Sequence, residues 1–393
     1  MTSARKNSEI SINTEVFGAL ELIKNKILSD YDSLMDDEQI KEVSKKGYFN
    51  GEPMPYSFGF APFGELNQNI ASKLTPGQKV NLSLDGKIVG HINVAKVFKF
   101  DENMRAKNIF LANEASNDKE LNLGKYGISG EFELYDESMQ ISKNALNDLI
   151  KEDGAKKITA VFLTADPFNR AHERLVRMTI DKADLVIIFL IRTREEKHVD
   201  YEIRKQVLDY FIQNYLPIKK VFVFALKNTT LFSSHANPTL ECIAASRFGA
   251  NKLVIGQNHS GIGMFFDHNE AHTILDIYKN DLNLEVIVLP ELVYCNKCKT
   301  LVSTKSCPHG QHHQIKYHPD VIKELLFNGI MPPAILVRPE ISALVLSKLF
   351  TNRFKDVQKL CDDLFVNSGL LENKTDCDFY EELMKLYQTS SMT

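Results

Sequence analysis

The chain has 393 residues, 44% of them hydrophobic and 25% charged, with a formal net charge of -4. That length exceeds what one hydrophobic core usually organises, so two or three domains are expected, and the composition is that of a soluble globular protein. The charge offers no general electrostatic case for nucleic acid or an anionic membrane, no apolar run reaches the roughly 18 residues that span a bilayer, and the first twenty residues lack the apolar core of a secretion signal.

Residues 1–50 are polar and helix-prone, with Val16, Phe17, Ala19, Leu20, Leu22 and Ile23 at helical spacing. From Tyr56 the pattern changes to short alternating runs, Val80-x-Leu82-x-Leu84 and Ile88–Val94, separated by the hairpin signal Asp85-Gly86. A mostly β module up to about residue 150 is expected. Beyond Lys156 the apolar runs Ala160–Leu163, Leu185–Leu190, Val221–Ala225, Leu253–Ile255 and Leu284–Leu289 alternate with amphipathic stretches, notably Tyr201–Tyr215 and Thr239–Phe248. Such alternation predicts an α/β domain with a parallel sheet, helices on both faces and ligands at the carboxyl ends of the strands.

The most informative stretch runs from the first of these strands, Ala160–Leu163, to Val176. Pro167 closes the strand by fixing φ and removing a donor, and Ala171, Leu175 and Val176 then recur at helical spacing. A helix that starts at the carboxyl end of a parallel strand presents free backbone N–H groups and a positive dipole end, which is a seat for phosphate. Asn169 and His172 are three residues apart, so both side chains can point at one phosphate from the first turn. A second loop, Gly256-Gln257-Asn258-His259-Ser260-Gly261-Ile262-Gly263, comes after another strand, and its glycines allow close approach of backbone to a ligand.

Three of the six cysteines crowd into Cys295, Cys298 and Cys307, and His309, His312 and His313 lie just beyond them. That spacing supplies soft ligands for a tetrahedral structural zinc rather than a disulfide framework, and it points to a reducing, cytoplasmic setting. The fourth ligand is open among the three histidines, with His312 preferred. After the metal loop, Ile322–Leu326 reads as a helix, Met331-Pro332-Pro333 ends it, and helical runs at Val345–Phe354 and Tyr380–Tyr387 complete the chain. No internal repeat is visible.

The segment Leu163-Thr164-Ala165-Asp166-Pro167-Phe168-Asn169-Arg170-Ala171-His172-Glu173 resembles the strand, loop and helix of the nucleotidylyltransferase superfamily. Its surroundings resemble ATP sulfurylase, which reads Gln-Thr-Arg-Asn-Pro-x-His-Arg-Ala-His-Glu at this place and Gly-Arg-Asp-His-Ala-Gly-Pro-Gly at the second loop. Pro332-Pro333 and Arg338-Pro339-Glu340 also match that family, so the resemblance covers most of residues 156–342. It implies a Rossmann-like nucleotidylyltransferase catalytic domain at 156–325 with a zinc knuckle at 295–313, a PUA-like N-terminal domain at 1–155 and a small helical region at 326–393.

It also implies the chemistry: attack of an anionic oxygen on the α-phosphorus of ATP carried by Mg²⁺, with pyrophosphate leaving. Sulfate is the implied acceptor and a homo-oligomer the implied assembly. His172, Asn169 and Arg170 take the catalytic positions, Phe168, Gly256, His259 and Gly261 the nucleotide-binding ones, and Leu163, Ala165 and Gln257 the acceptor pocket. At that pocket the chain departs from the family, with Leu163, Ala165 and Gln257 in place of a glutamine and two arginines. Each charge-assisted hydrogen bond lost costs about 1.5–3 kcal/mol, so two missing arginines weaken sulfate by roughly two to four powers of ten if nothing replaces them. Asp166 stands where the family has asparagine, and Asn169 replaces a histidine. A paralogue with a less anionic or larger acceptor, and a nucleotide-binding protein without catalysis, are the alternative expectations.

Overall fold

The computed structural model describes residues 8–105, 107–110, 123–233, 237–256, 281–365 and 372–389. Within them the chain divides into two compact units, one made of Met1–Leu163, Ala183–Arg194 and Phe222–Leu289, the other of Thr164–Lys182, Glu195–Val221 and Pro290–Thr393.

The first unit opens on strand β1 (Ser8–Ile12) and helix α1 (Thr14–Lys24), whose N-cap Asn13 accepts from the Val16 N–H. Helix α2 (Asp37–Lys46) begins with a capping box between Asp36 and Gln39 and ends at Gly47, where φ of 70° favours a residue without a Cβ. The short hairpin β2 (Tyr48–Phe49) and β3 (Glu52–Pro53) comes next, then α3 (Glu65–Ala71), β4 (Lys79–Leu84), β5 (Lys87–Lys99), α4 (Glu102–Arg105), β6 (Tyr126–Leu134) and α5 (Ser138–Asp153). Asp85 and Gly86 both take positive φ, 50° and 76°, and join β4 to β5 as the tight hairpin their sequence predicts. The sheet order is β1-β4-β5-β6. Its edge strand β1 lies parallel to β4, in a stretch whose composition reads as helix.

The central sheet has the order β11-β10-β7-β8-β9, from β7 (Ile158–Leu163), β8 (Leu185–Ile191), β9 (Val221–Leu226), β10 (Lys252–Gly256) and β11 (Glu285–Leu289). The β7–β8, β7–β10 and β10–β11 pairings are all parallel. Every residue of β7 and β8 is buried, as expected of strands covered on both faces. Stacked Phe162 and Phe189, 4.4 Å between ring centroids, sit in one apolar cluster that runs from Ile10 to Leu284. The strand order reverses at β7, so the carboxyl ends of β7 and β10 flank the switch point at which ligands of such sheets bind.

Helix α1 packs close to the segment after β9, since a Cβ on Gly18 would lie 2.3 Å from the Asn228 carbonyl oxygen. The Asn228 amide donates to Glu21 at 2.7 Å, and Glu21 is 1% exposed. Burial raises the Glu21 carboxyl to about 7, and the Asn228 hydrogen bond opposes that only in part. A raised carboxyl gives its full stability below the unfolded pKa and loses it as pH rises through the folded one. Glu21→Gln is therefore expected to raise the unfolding midpoint at pH 8 by the equivalent of about 2–3 kcal/mol and to leave it nearly unchanged at pH 4.5. Urea unfolding at both pH values tests this; equal effects at the two would show that Glu21 does not titrate in that window.

The second unit holds α6 (Arg170–Ile180), α7 (Tyr201–Tyr215) and a small sheet of order β13-β12-β14, from β12 (Leu292–Cys295), β13 (Thr300–Ser303) and β14 (Gln314–Lys316). Helices α8 (Asn237–Arg247, in the first unit), α9 (Pro319–Phe327), α10 (Pro339–Leu349), α11 (Val357–Leu364) and α12 (Asp376–Thr389) complete the described α-helices, with short 3-10 turns at Leu231–Ser233 and Gln311–His313. The run expected at Val345–Phe354 belongs to α10, which starts earlier because Pro339 takes the first helical position and stops at Phe350, where ψ of 57° leaves the helix.

Candidate functional site

The helix start predicted after β7 is formed by a reciprocal cap. Asn169 adopts extended backbone (φ -134°), and its Oδ1 accepts from the N–H groups of Ala171 and His172 at 3.0 and 3.1 Å. The Asn169 N–H in turn donates to His172 Nδ1 at 3.2 Å. Asparagine suits this position because its short side chain reaches the N2 and N3 amides. The accepting Nδ1 fixes the tautomer, so the His172 ring carries its proton on Nε2. The two residues expected to point together at a phosphate thus hold each other at the first turn of α6.

Phe168, expected at the nucleotide, is buried at 2% exposure, with its ring stacked on His172 at 5.7 Å and tilted against Phe211 at 4.8 Å. It therefore supports the imidazole from below. Leu163 is the last residue of β7 and buried, and Ala165 is fully buried with φ of 50°, a left-handed conformation uncommon for a residue with a side chain. Gly256 ends β10 and pairs with Leu289. Gln257, His259 and Gly261 lie outside the described residues.

Three arginines around the helix start, Arg170, Arg177 and Arg338, are committed to one carboxylate, while Arg174 lies exposed on the next turn. Glu173, one residue past His172, binds Arg170 at 3.0 Å, Arg177 at 3.4 Å and Arg338 at 2.5 Å. Arg170 also donates through Nε to the Ala334 carbonyl at 3.1 Å, and its backbone N–H donates to Leu336 O at 2.9 Å. Arg177 reaches the Tyr215 carbonyl at 2.9 Å, while Arg338 stacks over the Tyr215 ring at 3.9 Å. Sequence reasoning places Arg170 in the catalytic set; its guanidinium here ties α6 to the segment before α10. The structural part of Arg338 is invisible in the sequence because its partner is 165 positions away.

The candidate metal ligands gather as expected, with one correction. The ligand atoms of Cys295, Cys298, Cys307 and His309 all lie within 4.8 Å of one another. His309 Nδ1 is 3.4, 3.3 and 3.6 Å from the three sulfurs in turn, and the Cys298 and Cys307 sulfurs are 3.9 Å apart. Zinc bonds of about 2.3 Å to sulfur and about 2.0 Å to nitrogen in a tetrahedron require S–S near roughly 3.8 Å and S–N near roughly 3.5 Å, so the cage fits that ion. His309 takes the place that spacing alone assigns to His312. The turn two residues past Cys307 delivers His309 to the sulfurs, whereas His312 lies in a short 3-10 turn, its ring 4.1 Å from that of His313. The Cys298 backbone N–H, 3.4 Å from the Cys295 sulfur, is the leading cause that lowers the Cys295 thiol to about 6, towards the thiolate a metal requires.

The parallel sheet with its switch point at β7, and the capped start of α6 that the chain enters after β7, accord with the class that the relatives give, a nucleotidyltransferase enzyme. The ATP-sulfurylase family model matches residues 137–348, and the chain belongs to that family. A sulfate adenylyltransferase of Psychrobacter sp. (strain PRwf-1) is 23% identical over 354 residues, 87% of this chain and 82% of that protein. One from Persephonella marina is 26% identical over 212 residues, 54% of this chain and 55% of that protein. Among solved structures, a hexameric APS kinase from Thiobacillus denitrificans superposes with a TM-score of 0.64 at 15% identity and covers 88% of this chain. The present chain spans 63% of that solved chain, less than two thirds of its length. Among the described residues, no helix is long and apolar enough to cross a membrane.

Proposed function

We propose that this chain transfers AMP from ATP to an acceptor with release of pyrophosphate, and that the acceptor is less anionic, or larger, than sulfate. The start of α6 is the phosphate seat through its positive dipole end and the Nε2–H of His172, which Asn169 positions; the first-turn N–H groups are already taken up by Asn169, His172 and Leu336. Transfer of this kind needs positioning and charge stabilisation and little covalent work from the protein, and Mg²⁺ arrives with the nucleotide. Zinc is assigned to Cys295, Cys298, Cys307 and His309, which leave it no open position, so it folds its loop and takes no part in transfer.

One observation carries the acceptor reading. Arg170, Arg177 and Arg338 are all bound to Glu173, while the loop positions at which the family resemblance puts anion-binding side chains hold buried Leu163 and Ala165. A tetrahedral dianion needs fixed cationic donors, and an acceptor with its charge spread out or absent does not. The test is pyrophosphate release from ATP and Mg²⁺ with and without sulfate, alongside ATP binding by wild type and His172→Ala. Sulfate is expected to add nothing to the acceptor-free rate, and the variant to bind ATP about tenfold more weakly, the loss of one charge-assisted hydrogen bond. Release that depends on both sulfate and His172 would overturn the acceptor assignment. Failure of the wild type to bind ATP would overturn the whole reading.

A further inference from the structure

The loop that leads into α6 contains an acid beside the proposed phosphate seat, and the structure puts that acid into a buried pair. Asp166 is 6% exposed, and its Oδ1 accepts from the Val199 N–H at 2.9 Å. Its Oδ2 is buried without a hydrogen bond and faces Lys323 Nζ at 3.6 Å. Lys323 comes from α9, and its side chain is 4% exposed. It also meets Glu195 and, at 3.1 Å, Asp320, two carboxylates that are 57% and 87% exposed and therefore already well solvated. On the other side of the loop the fully buried Arg204 donates to the Thr164 carbonyl and, through Nε, to Val199 O at 2.9 Å. Between these two grips sits Ala165 with its φ of 50°.

We propose that Lys323 is a positioning residue of the transfer site, which neutralises Asp166 and thereby fixes the loop Thr164–Phe168 on which His172 rests. The inference builds on the phosphate-seat reading. A lone carboxylate at Asp166 would be deprived of water and would repel the ATP phosphates; it would be driven to protonate or to swing out, taking Pro167 and Phe168 with it. Phe168 is the ring beneath His172, so the displacement reaches the imidazole directly. The groups that face Asp166 are Lys323, Arg204 and the Val199 N–H on the attractive side and Glu195 on the repulsive side. Of the two cations, Lys323 makes the 3.6 Å ion pair, while Arg204 grips the loop through the Thr164 carbonyl.

The test is a double-variant cycle of Lys323→Met, Asp166→Asn and both together. Asn can still accept from Val199 but carries no charge, so Asp166→Asn alone should change ATP affinity by less than about threefold. Lys323→Met should weaken ATP at least about tenfold at pH 8, and the double variant should return to within about threefold of Asp166→Asn. A double variant no better than Lys323→Met would overturn the proposal, because a lysine that merely fills space is not rescued by removing an acid. If Lys323→Met does not fold, recovery of folded double variant reads the same coupling, and its absence overturns it. The ¹⁵N imidazole signals of His172 give a readout that needs no nucleotide: they should move in Lys323→Met and return in the double variant. Unmoved signals in all three variants count against the proposal. Loss of ATP binding in the wild type would instead count against the transfer reading alone.

Discussion

Chelation of the metal should open residues 292–316 to proteases within the first minutes of treatment, and purified protein should carry about one zinc per chain. The sheet β12–β14 is too small to hold itself together. Its strands have four, four and three residues, and Val293 and Cys295 are the only buried positions in them. A sheet with two buried side chains gains a few kcal/mol from burial, against an ordering cost of about 1–2 kcal/mol for every residue fixed. A structural zinc in a Cys₃His cage contributes on the order of 10 kcal/mol and closes that gap. Cys298→Ser should therefore lower zinc content below about 0.2 per chain and give the protease pattern of the chelated wild type, while His312→Ala should leave zinc in place. Full zinc content in Cys298→Ser, or loss of zinc in His312→Ala, would show that the ligand set is a different one.

Glu173→Ala is expected to be the most destabilising single change in α6. The carboxylate is 10% exposed and holds the guanidinium groups of Arg170, Arg177 and Arg338. Its removal leaves three positive charges close together, two of them largely out of water, and breaking a buried pair from one side typically costs about 3–5 kcal/mol. Glu173→Gln keeps the hydrogen-bond acceptor and loses the charge, so it should cost roughly half as much. The pH dependence has its origin in the same contacts. Burial pushes the Glu173 carboxyl up, but the hydrogen bond and charge of Arg338 and the charge of Arg170 outweigh it, and the net shift is downward. A lowered carboxyl contributes stability above its unfolded pKa and loses it as pH falls through the folded value, so the wild-type advantage over Glu173→Gln should be full at pH 6 and shrink below about pH 4. Denaturant midpoints of the three proteins across that range decide it; a constant difference would mean that the guanidinium groups find other partners.

The features legible in the sequence are those that local chemistry decides. The bounds of α7, the Asp85-Gly86 hairpin and the strand, proline and helix sequence from Ala160 to Val176 all rest on propensities and caps within a few residues. Strands β7 and β8 are visible because strands buried on both faces must be apolar throughout, and the less buried β9, β10 and β11 because each is still a short apolar run of strand length. Features that depend on partners far along the chain are not. Strand β1 is a five-residue alternation, SEISI, and its partner β4 begins only at Lys79. Arg170 sits in a motif and invites a catalytic part, yet its contacts with Glu173 and Ala334 can be seen only once α6 and the segment before α10 are in place. The choice between His309 and His312 turns on the path of the turn after Cys307, which spacing does not determine.

The way the chain is divided has a consequence for its synthesis. The first unit is assembled from three stretches and the second from three, alternating along the chain, so the polypeptide passes from one to the other five times. Neither can finish early: the first lacks an edge strand of its central sheet until Leu289 has left the ribosome, and α6 has no Arg338 to pair with until that residue too has emerged. Nascent chains are therefore expected to leave the apolar strands β7 and β8 short of their sheet partners until late in translation, so that chaperones aid their folding and truncated fragments are poor substitutes for the whole.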